Sequence, residues 1–220
     1  MKISKIKIRP TQQTLLAGLG ALILLVSSCK KDPLKDLTAE ESRVYITRYD
    51  STANFSNYQT FRIADSVTVI SNGRFAGQAS TFFDKSIITA ITQAMVQRGY
   101  QLQTDASKRP DVGINISRIT SESTGVVSYG NYWGGYGNYW DPFYWGYGGY
   151  GYNFPYAIGT YTIREGALSV DMIDLKNPNT VRNQLNTIWT GLARGAGIFN
   201  SNNAVSITEA LLSQSPYLKP

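Results

Sequence analysis

Histidine is the side chain best suited to acid–base work near neutral pH, and this chain of 220 residues has none. That removes Ser-His-Asp and Cys-His catalysis and the commonest metal ligand. One cysteine, Cys29, leaves no thiolate cluster for zinc and no disulfide within the chain. No Gly-rich phosphate loop and no dinucleotide fingerprint is present. Carboxylates and aromatic rings remain. Glu165, Asp171 and Asp174 lie close in sequence, and a carboxylate-pair hydrolase needs two acids facing one cleft. Strand alternation puts Glu165 and Asp171 on one side and Asp174 on the other, so the three read as solvent-facing acids. Asp111, at the mouth of a strand, reads as a turn or cap residue rather than a catalytic acid. The aromatic candidates are Tyr132, Trp133, Tyr139, Trp140, Tyr144 and Trp145. Their rings offer flat apolar faces with polar edges, which suits sugars, peptidoglycan or a membrane surface. The plainer reading is a low-complexity loop with no ligand. No catalytic residue, metal site or cofactor is assigned, and the chain does not read as an enzyme.

The cysteine has a chemistry of its own. Lys2, Lys5, Lys7 and Arg9 precede an apolar run from about Leu15 to Val26, then Ser27, Ser28 and Cys29. Basic, apolar, small is the order of a secretory signal peptide, and the run is short of the roughly 20 residues that span a bilayer. A retained signal anchor is the alternative, opposed by Pro10, Gln12 and Gln13 upstream. An aliphatic residue, two small residues and Cys resemble the bacterial lipobox. The resemblance implies cleavage of residues 1–28 and acylation of Cys29, rather than a buried structural thiol. Lys30 stands where the enteric sorting rule places an inner-membrane Asp, so the outer membrane of a Gram-negative cell is expected.

Removing residues 1–28 from 220 leaves 192, enough for one domain with a sizeable core. The leader holds four of the 21 basic residues and none of the 15 acids, so 17 against 15 leaves the mature chain at +2. No basic stripe is present, and nucleic acid is not expected as a partner.

The elements that must position any site follow in order. Residues 29–42 are polar and charged, a tether between lipid and domain. A single domain is expected over 43–220. Val44–Thr47, Tyr58–Ile63 and Val67–Ile70 are β-prone, with turns at Asn54–Asn57 and Ser71–Gly73. From Phe82 to Arg98 the spacing of Phe83, Ile87, Ala90, Ile91, Ala94 and Met95 predicts a helix. Thr81 and Asp84 would make its capping box and Gly99 its left-handed stop. Val112, Ile114 and Ile116 alternate with Gly113, Asn115 and Ser117, the pattern of a half-buried strand. Residues 120–156 are a Tyr/Gly/Trp-rich insert, expected as a long loop or hairpin extension between two strands. Ile158–Ile163 is β-prone again. Leu168, Val170 and Met172 share one strand face, and Leu185–Ala193 pairs with that strand as an antiparallel hairpin. Asn203 is expected to cap a helix from Ala204 to Ser213 with Ala204, Ile207 and Leu211 inward. The sum is an α+β domain: a mainly antiparallel sheet, one long helix, one short C-terminal helix and an aromatic insert.

Asn54-Phe55, Tyr58 and Thr60-Phe61, then Arg98-Gly99-Tyr100, Pro110-Asp111-Val112, Gly166 before a strand ending at Asp174, and Trp189-Thr190-Gly191 before a closing helix make an ordered set. In that order, behind a lipobox, they resemble the bacterial lipoprotein family known as domain of unknown function 4136. The likeness runs from about Val44 to Tyr217, and the aromatic insert is its main departure. The resemblance implies an exported, membrane-anchored α+β domain and brings no catalytic residues. Three functions are weighed: a non-enzymatic envelope lipoprotein that binds or supports another envelope protein; a glycan- or peptidoglycan-binding module using the aromatic insert; and a carboxylate-dependent hydrolase.

Overall fold

The computed structural model describes residues 37–71, 74–120, 126–128, 142–155, 160–162 and 166–220. Its strands are β1 (Val44–Tyr49), β2 (Thr60–Ile63), β3 (Val67–Ser71), β4 (Arg74–Ala79), β5 (Gln101–Leu102), β6 (Val112–Thr120), β7 (Val126–Ser128), β8 (Gly151–Asn153), β9 (Thr160–Thr162), β10 (Ala167–Asp174) and β11 (Gln184–Arg194). The helices are α1 (Phe82–Gln97) and α2 (Ala204–Ser213).

Nine strands form one sheet with the central order β1-β11-β10-β6-β2-β5, while β3, β4 and β8 attach beside it. The expected β10–β11 hairpin is present and antiparallel, and β1 and β6 flank it, also antiparallel. β3 and β4 also pair antiparallel, but the sheet as a whole is mixed rather than mainly antiparallel. β2 and β3 lie end to end along β6 and run parallel to it, as β5 does to β2 and β8 to β11. For β2, β3 and β5 the reason is α1: a connection carrying a helix returns the chain to the end it left, which is what parallel pairing requires.

α1 starts as its sequence demands. Thr81 Oγ1 accepts from the Asp84 amide, and Asp84 Oδ2 accepts from the Thr81 amide and hydroxyl at 2.8 and 2.7 Å. Such a cap contributes about 1 kcal/mol. The buried Asp84 also ion-pairs with Arg118 of β6 at 3.5 Å, which fastens the helix start to the sheet. Gly99, at φ +103°, ends the helix. α2 departs from expectation. Asn203 makes no side-chain cap; a 3-10 turn, Ser201–Asn203, feeds the helix and is itself capped by Asn200. The Asn203 amide instead donates to the Gly197 carbonyl at 2.9 Å.

Both helices cover one face of the sheet. Ile87, Ile91 and Met95 from α1 and Ile207 and Leu211 from α2 meet Phe61, Ile114, Ile116, Val170, Met172 and Trp189 in the main core. Trp189 folds across Gly191, where an added Cβ would come within 2.6 Å of the indole. That close approach explains the Trp-Thr-Gly order.

The second face corrects the picture of β6 as a half-buried strand. Gly113, Asn115 and Ser117 are buried as fully as Val112, Ile114 and Ile116. Part of the cover is known: Trp145, Tyr147, Ile173, Leu175 and Leu185 form a smaller core there. β7, within the insert, pairs antiparallel with β9 beyond it, and Trp145, Tyr147, Tyr150 and Tyr152 of the insert pack on the sheet. Residues 129–141 lie outside the described residues, as do residues 1–36 with the leader, Cys29 and most of the tether.

Candidate functional site

Tyr144 and Trp145 are the members of the six-residue aromatic set that fall among the described residues; Tyr132, Trp133, Tyr139 and Trp140 do not, and neither does Cys29. Trp145 is only 4% exposed. Its ring lies over Gly113, so the indole is a wedge in the smaller core rather than an open platform. Tyr144 is 38% exposed and stands at 90° to Trp145, 4.8 Å between centroids. The pair therefore presents no common flat face. Phe143, beside them, is 74% exposed.

The carboxylates are not the solvent-facing acids expected from strand alternation. Asp171 is fully buried on the second face, where Oδ1 accepts from Thr190 Oγ1 at 2.7 Å and Oδ2 from Ser169 Oγ at 3.2 Å. Register places Asn115 opposite Asp171 and Ser117 opposite Ser169. The result is a buried polar row crossing β6, β10 and β11. The Asn115 amide and the Ser117 hydroxyl find no hydrogen-bond partner in it. Asp174 belongs to the other face. It accepts from the Tyr58 hydroxyl at 2.8 Å and from the Lys176 and Asn177 amides at 2.9 Å each. Burial, reinforced by Asp174, pushes the Tyr58 pKa up, so Tyr58 stays a donor. Two acids on opposite faces cannot share a substrate, and the structure does not bring them together. Glu165 lies outside the described residues. Among the described residues no group of three or more His, Cys, Asp or Glu could hold a metal ion.

Asp111 is a clasp. Its carboxylate accepts from the Gln59 and Thr60 amides at 2.7 and 3.0 Å, and its own amide donates to Thr60 Oγ1 at 2.9 Å. Burial would raise its pKa, but the two amides and Lys176 at 3.8 Å outweigh that and hold it below the ordinary carboxylate value. The partners lie 51 and 52 residues away, so this is a long-range clasp rather than the local turn or cap expected from sequence.

An accessible concave site lies elsewhere. An open cleft of about 290 Å³ is walled by Tyr49, Phe55 and Tyr217 and rimmed by Asn54, Ser56 and Lys219. Tyr49 and Tyr217 are 4.3 Å apart by ring centroid, and Phe55 is 5.4 Å from Tyr217. Tyr49 is 45% exposed. Two of the three walls, Phe55 and Tyr217, are fixed from behind. Asn54 Oδ1 accepts from the Ser56 amide and hydroxyl, which winds the short 3-10 turn that aims Phe55 inward. Trp189 Nε1 donates to Ser215 Oγ at 2.8 Å, and that oxygen lies 3.1 Å from the Tyr217 hydroxyl. Burial pushes the Tyr217 pKa up, and the Ser215 and Trp189 contacts only partly offset that. The Arg98 guanidinium donates to the carbonyls of Leu212, Ser215 and Leu218 at 2.6, 2.9 and 3.3 Å, seating the whole closing segment.

Of the cleft residues, Asn54 and Phe55 stood out in the sequence as part of the ordered motif set, with no function attached; Tyr49, Tyr217 and Lys219 did not. Tyr49 and Tyr217 are isolated tyrosines far apart in the chain. The signal that bears on them is indirect: Arg98, Trp189 and Gly191 belong to the ordered motif set, and all three serve to place the closing segment.

Comparison with known proteins bears on this architecture. The family model described as Domain of unknown function (DUF4136) matches residues 46–217. A solved structure of a DUF4136 family protein from Bacteroides thetaiotaomicron is 29% identical, with a TM-score of 0.66, over 81% of this chain and 98% of that one. The PelC dodecamer from Paraburkholderia phytofirmans is 10% identical at a TM-score of 0.38, over 80% of this chain and 98% of that one. No curated protein matches. The match over residues 46–217 covers most of the folded body, and this chain belongs to the DUF4136 family.

Proposed function

We propose that the protein is a lipid-anchored component of the bacterial outer membrane whose domain binds another envelope component without catalysing a reaction. The leader and Cys29 support the anchor, and Lys30 supports the outer membrane. The observation that carries the binding role is the cleft of Tyr49, Phe55 and Tyr217. It is concave, aromatic, partly open and rigidly backed, and its volume is close to the small end of ligand pockets, about 300 Å³. Mass spectrometry of the purified protein tests the anchor: the mature N-terminus is expected at Cys29 with acyl mass. An unmodified Cys29 would sink it. Membrane fractionation is expected to place the protein with outer-membrane markers. Proximity labelling in live cells reads partner and compartment together.

A second reading is glycan binding through the aromatic insert, favoured by Phe143 and Tyr144, which are exposed beside each other on a 3-10 turn. Deleting residues 129–156 whole is the wrong test, because it strips Trp145 and Tyr147 from the smaller core. Removing residues 129–141 alone, together with Phe143→Ala, keeps Trp145 and Tyr147 in the chain. Unchanged binding to cell-wall glycans in that variant removes the reading.

A further inference from the structure

We infer that the cleft between the end of β1 and the closing segment is a binding site for an acidic sugar, which stacks on Tyr49 and pairs its carboxylate with Lys219. The inference rests on reading the domain as an envelope binding module, and it names the ligand class.

The argument starts from what the cleft offers chemically. Its wall is three aromatic rings within 6.4 Å of one another, one of them open to solvent at Tyr49. Such rings suit an amphipathic ligand that is apolar on a face and polar at its edge, and a sugar ring has that shape. The rim decides which sugar. Lys219 is exposed, and its ammonium has no hydrogen-bond or ion-pair partner among the described residues. Asn54 spends its carbonyl oxygen on Ser56, which leaves the amide N–H groups to donate. No carboxylate lines the cleft. Asp50, the acid that follows Tyr49, is turned onto its own loop and accepts from the Thr52 amide and hydroxyl at 2.9 and 2.6 Å. The Ser56 hydroxyl spends its hydrogen on Asn54, so the rim's donors are the Asn54 amide and the Lys219 ammonium, and its charge is positive. It asks for a ligand of acceptors carrying a negative charge, a uronate-type residue rather than a neutral hexose.

Preorganisation supports a site rather than a chance concavity. Tyr217 is held through Ser215 to the buried Trp189, Phe55 through the Asn54 turn, and the segment behind both by three Arg98 bonds. Walls fixed before binding lose little entropy when the ligand arrives. The volume admits one sugar residue, and the open sides let a chain continue past it.

The test uses the full chain in detergent micelles, titrated with trigalacturonate and, separately, with galactotriose. Binding is read by calorimetry and by amide NMR shifts. Trigalacturonate is expected to bind and to move resonances at residues 49–56 and 215–219, with galactotriose at least tenfold weaker. Lys219→Gln, at an exposed position that leaves the fold intact, is expected to weaken trigalacturonate about tenfold, the scale of a hydrogen bond to a charged group. Tyr49→Ala is expected to weaken both sugars, and Tyr49→Phe neither. No binding, equal binding of the two sugars, shifts confined to other surfaces, or an unaltered Lys219→Gln would each overturn the inference. A photocrosslinker at Ser56 in live cells separates this from the broader reading. An adduct alongside a null titration overturns the acidic sugar and keeps the binding module; no adduct and no titration overturns both.

Discussion

Alanine at Gly113 places a methyl group where the structure has no room for it. The added Cβ would lie 2.9 and 3.0 Å from Trp145 Cε2 and Cζ2 and 3.1 Å from Leu175 Cδ1. Contacts that short force the neighbour to move, and Trp145 is a rigid bicycle wedged among Tyr147, Ile173, Leu175 and Leu185. Overpacking of this kind costs about 1–3 kcal/mol. Against a total stability of about 5–15 kcal/mol that is a large fraction. Urea unfolding followed by circular dichroism gives the stability change, and an unchanged m value shows that the unfolded state is not its source. The cause is isolated by a cycle with Trp145→Phe, which withdraws the Cζ2 edge of the ring. In that background Gly113→Ala is expected to cost at least 1 kcal/mol less than in the wild type, beyond the roughly 0.3–0.5 kcal/mol within which independent sites add. Equal costs in the two backgrounds would refute the placement of Trp145 over Gly113. They would also return that indole to the set of rings available to a ligand.

Three further outcomes follow from buried and half-buried groups. The Tyr100 hydroxyl is buried without a hydrogen-bond partner, so Tyr100→Phe is expected to stabilise by about 1 kcal/mol in urea unfolding. Burial, partly offset by Arg98, pushes the Tyr100 pKa up to about 12. A raised tyrosine contributes fully below its ordinary value near 10 and loses that contribution as pH rises through about 12, so the same variant should flatten the alkaline limb of the stability profile. Asp111 runs the other way: its depressed pKa contributes above the ordinary value near 3.8 and the contribution is lost as pH falls through the lower folded value. The stability gap between wild type and Asp111→Asn should therefore be constant at neutral pH and close in acid. A gap that persists unchanged below about pH 2 contradicts the clasp. Arg98→Ala removes three charged donors from the closing segment and is expected to cost about 3 kcal/mol, with faster amide exchange at residues 215–219.

Local rules were legible where the physics is local. The capping box at Thr81, the stop at Gly99, the apolar face of α1 and the β10–β11 hairpin all depend on residues within a few positions of one another. Parallel pairing of β2 and β3 with β6 was not legible, because it is decided by which end of the sheet α1 returns the chain to. Asn115, Ser117 and Asp171 misled for a different reason. Polar residues alternating with apolar ones are the signature of a face open to water, and alternation carries no information about whether another layer covers that face. The buried row, with an orphaned amide at Asn115, breaks the usual rule that covered polar groups are paired. The cleft was illegible because its walls come from residues 49–56 and 215–219, brought together only by the antiparallel pairing of β1 with β11 and by α2.

β1 gives the domain a mechanical axis. The proposed tether joins at Val44, and Tyr49, at the other end of the same strand, forms a wall of the cleft. A pull between an anchored N-terminus and a ligand held at Tyr49 would run along β1. The load would pass through the covalent backbone of β1 itself, and the six register pairs with β11, lying across that line, would hold the strand in place rather than carry the pull. Attachment at opposite ends of one strand is the geometry that lets a thin edge bear load.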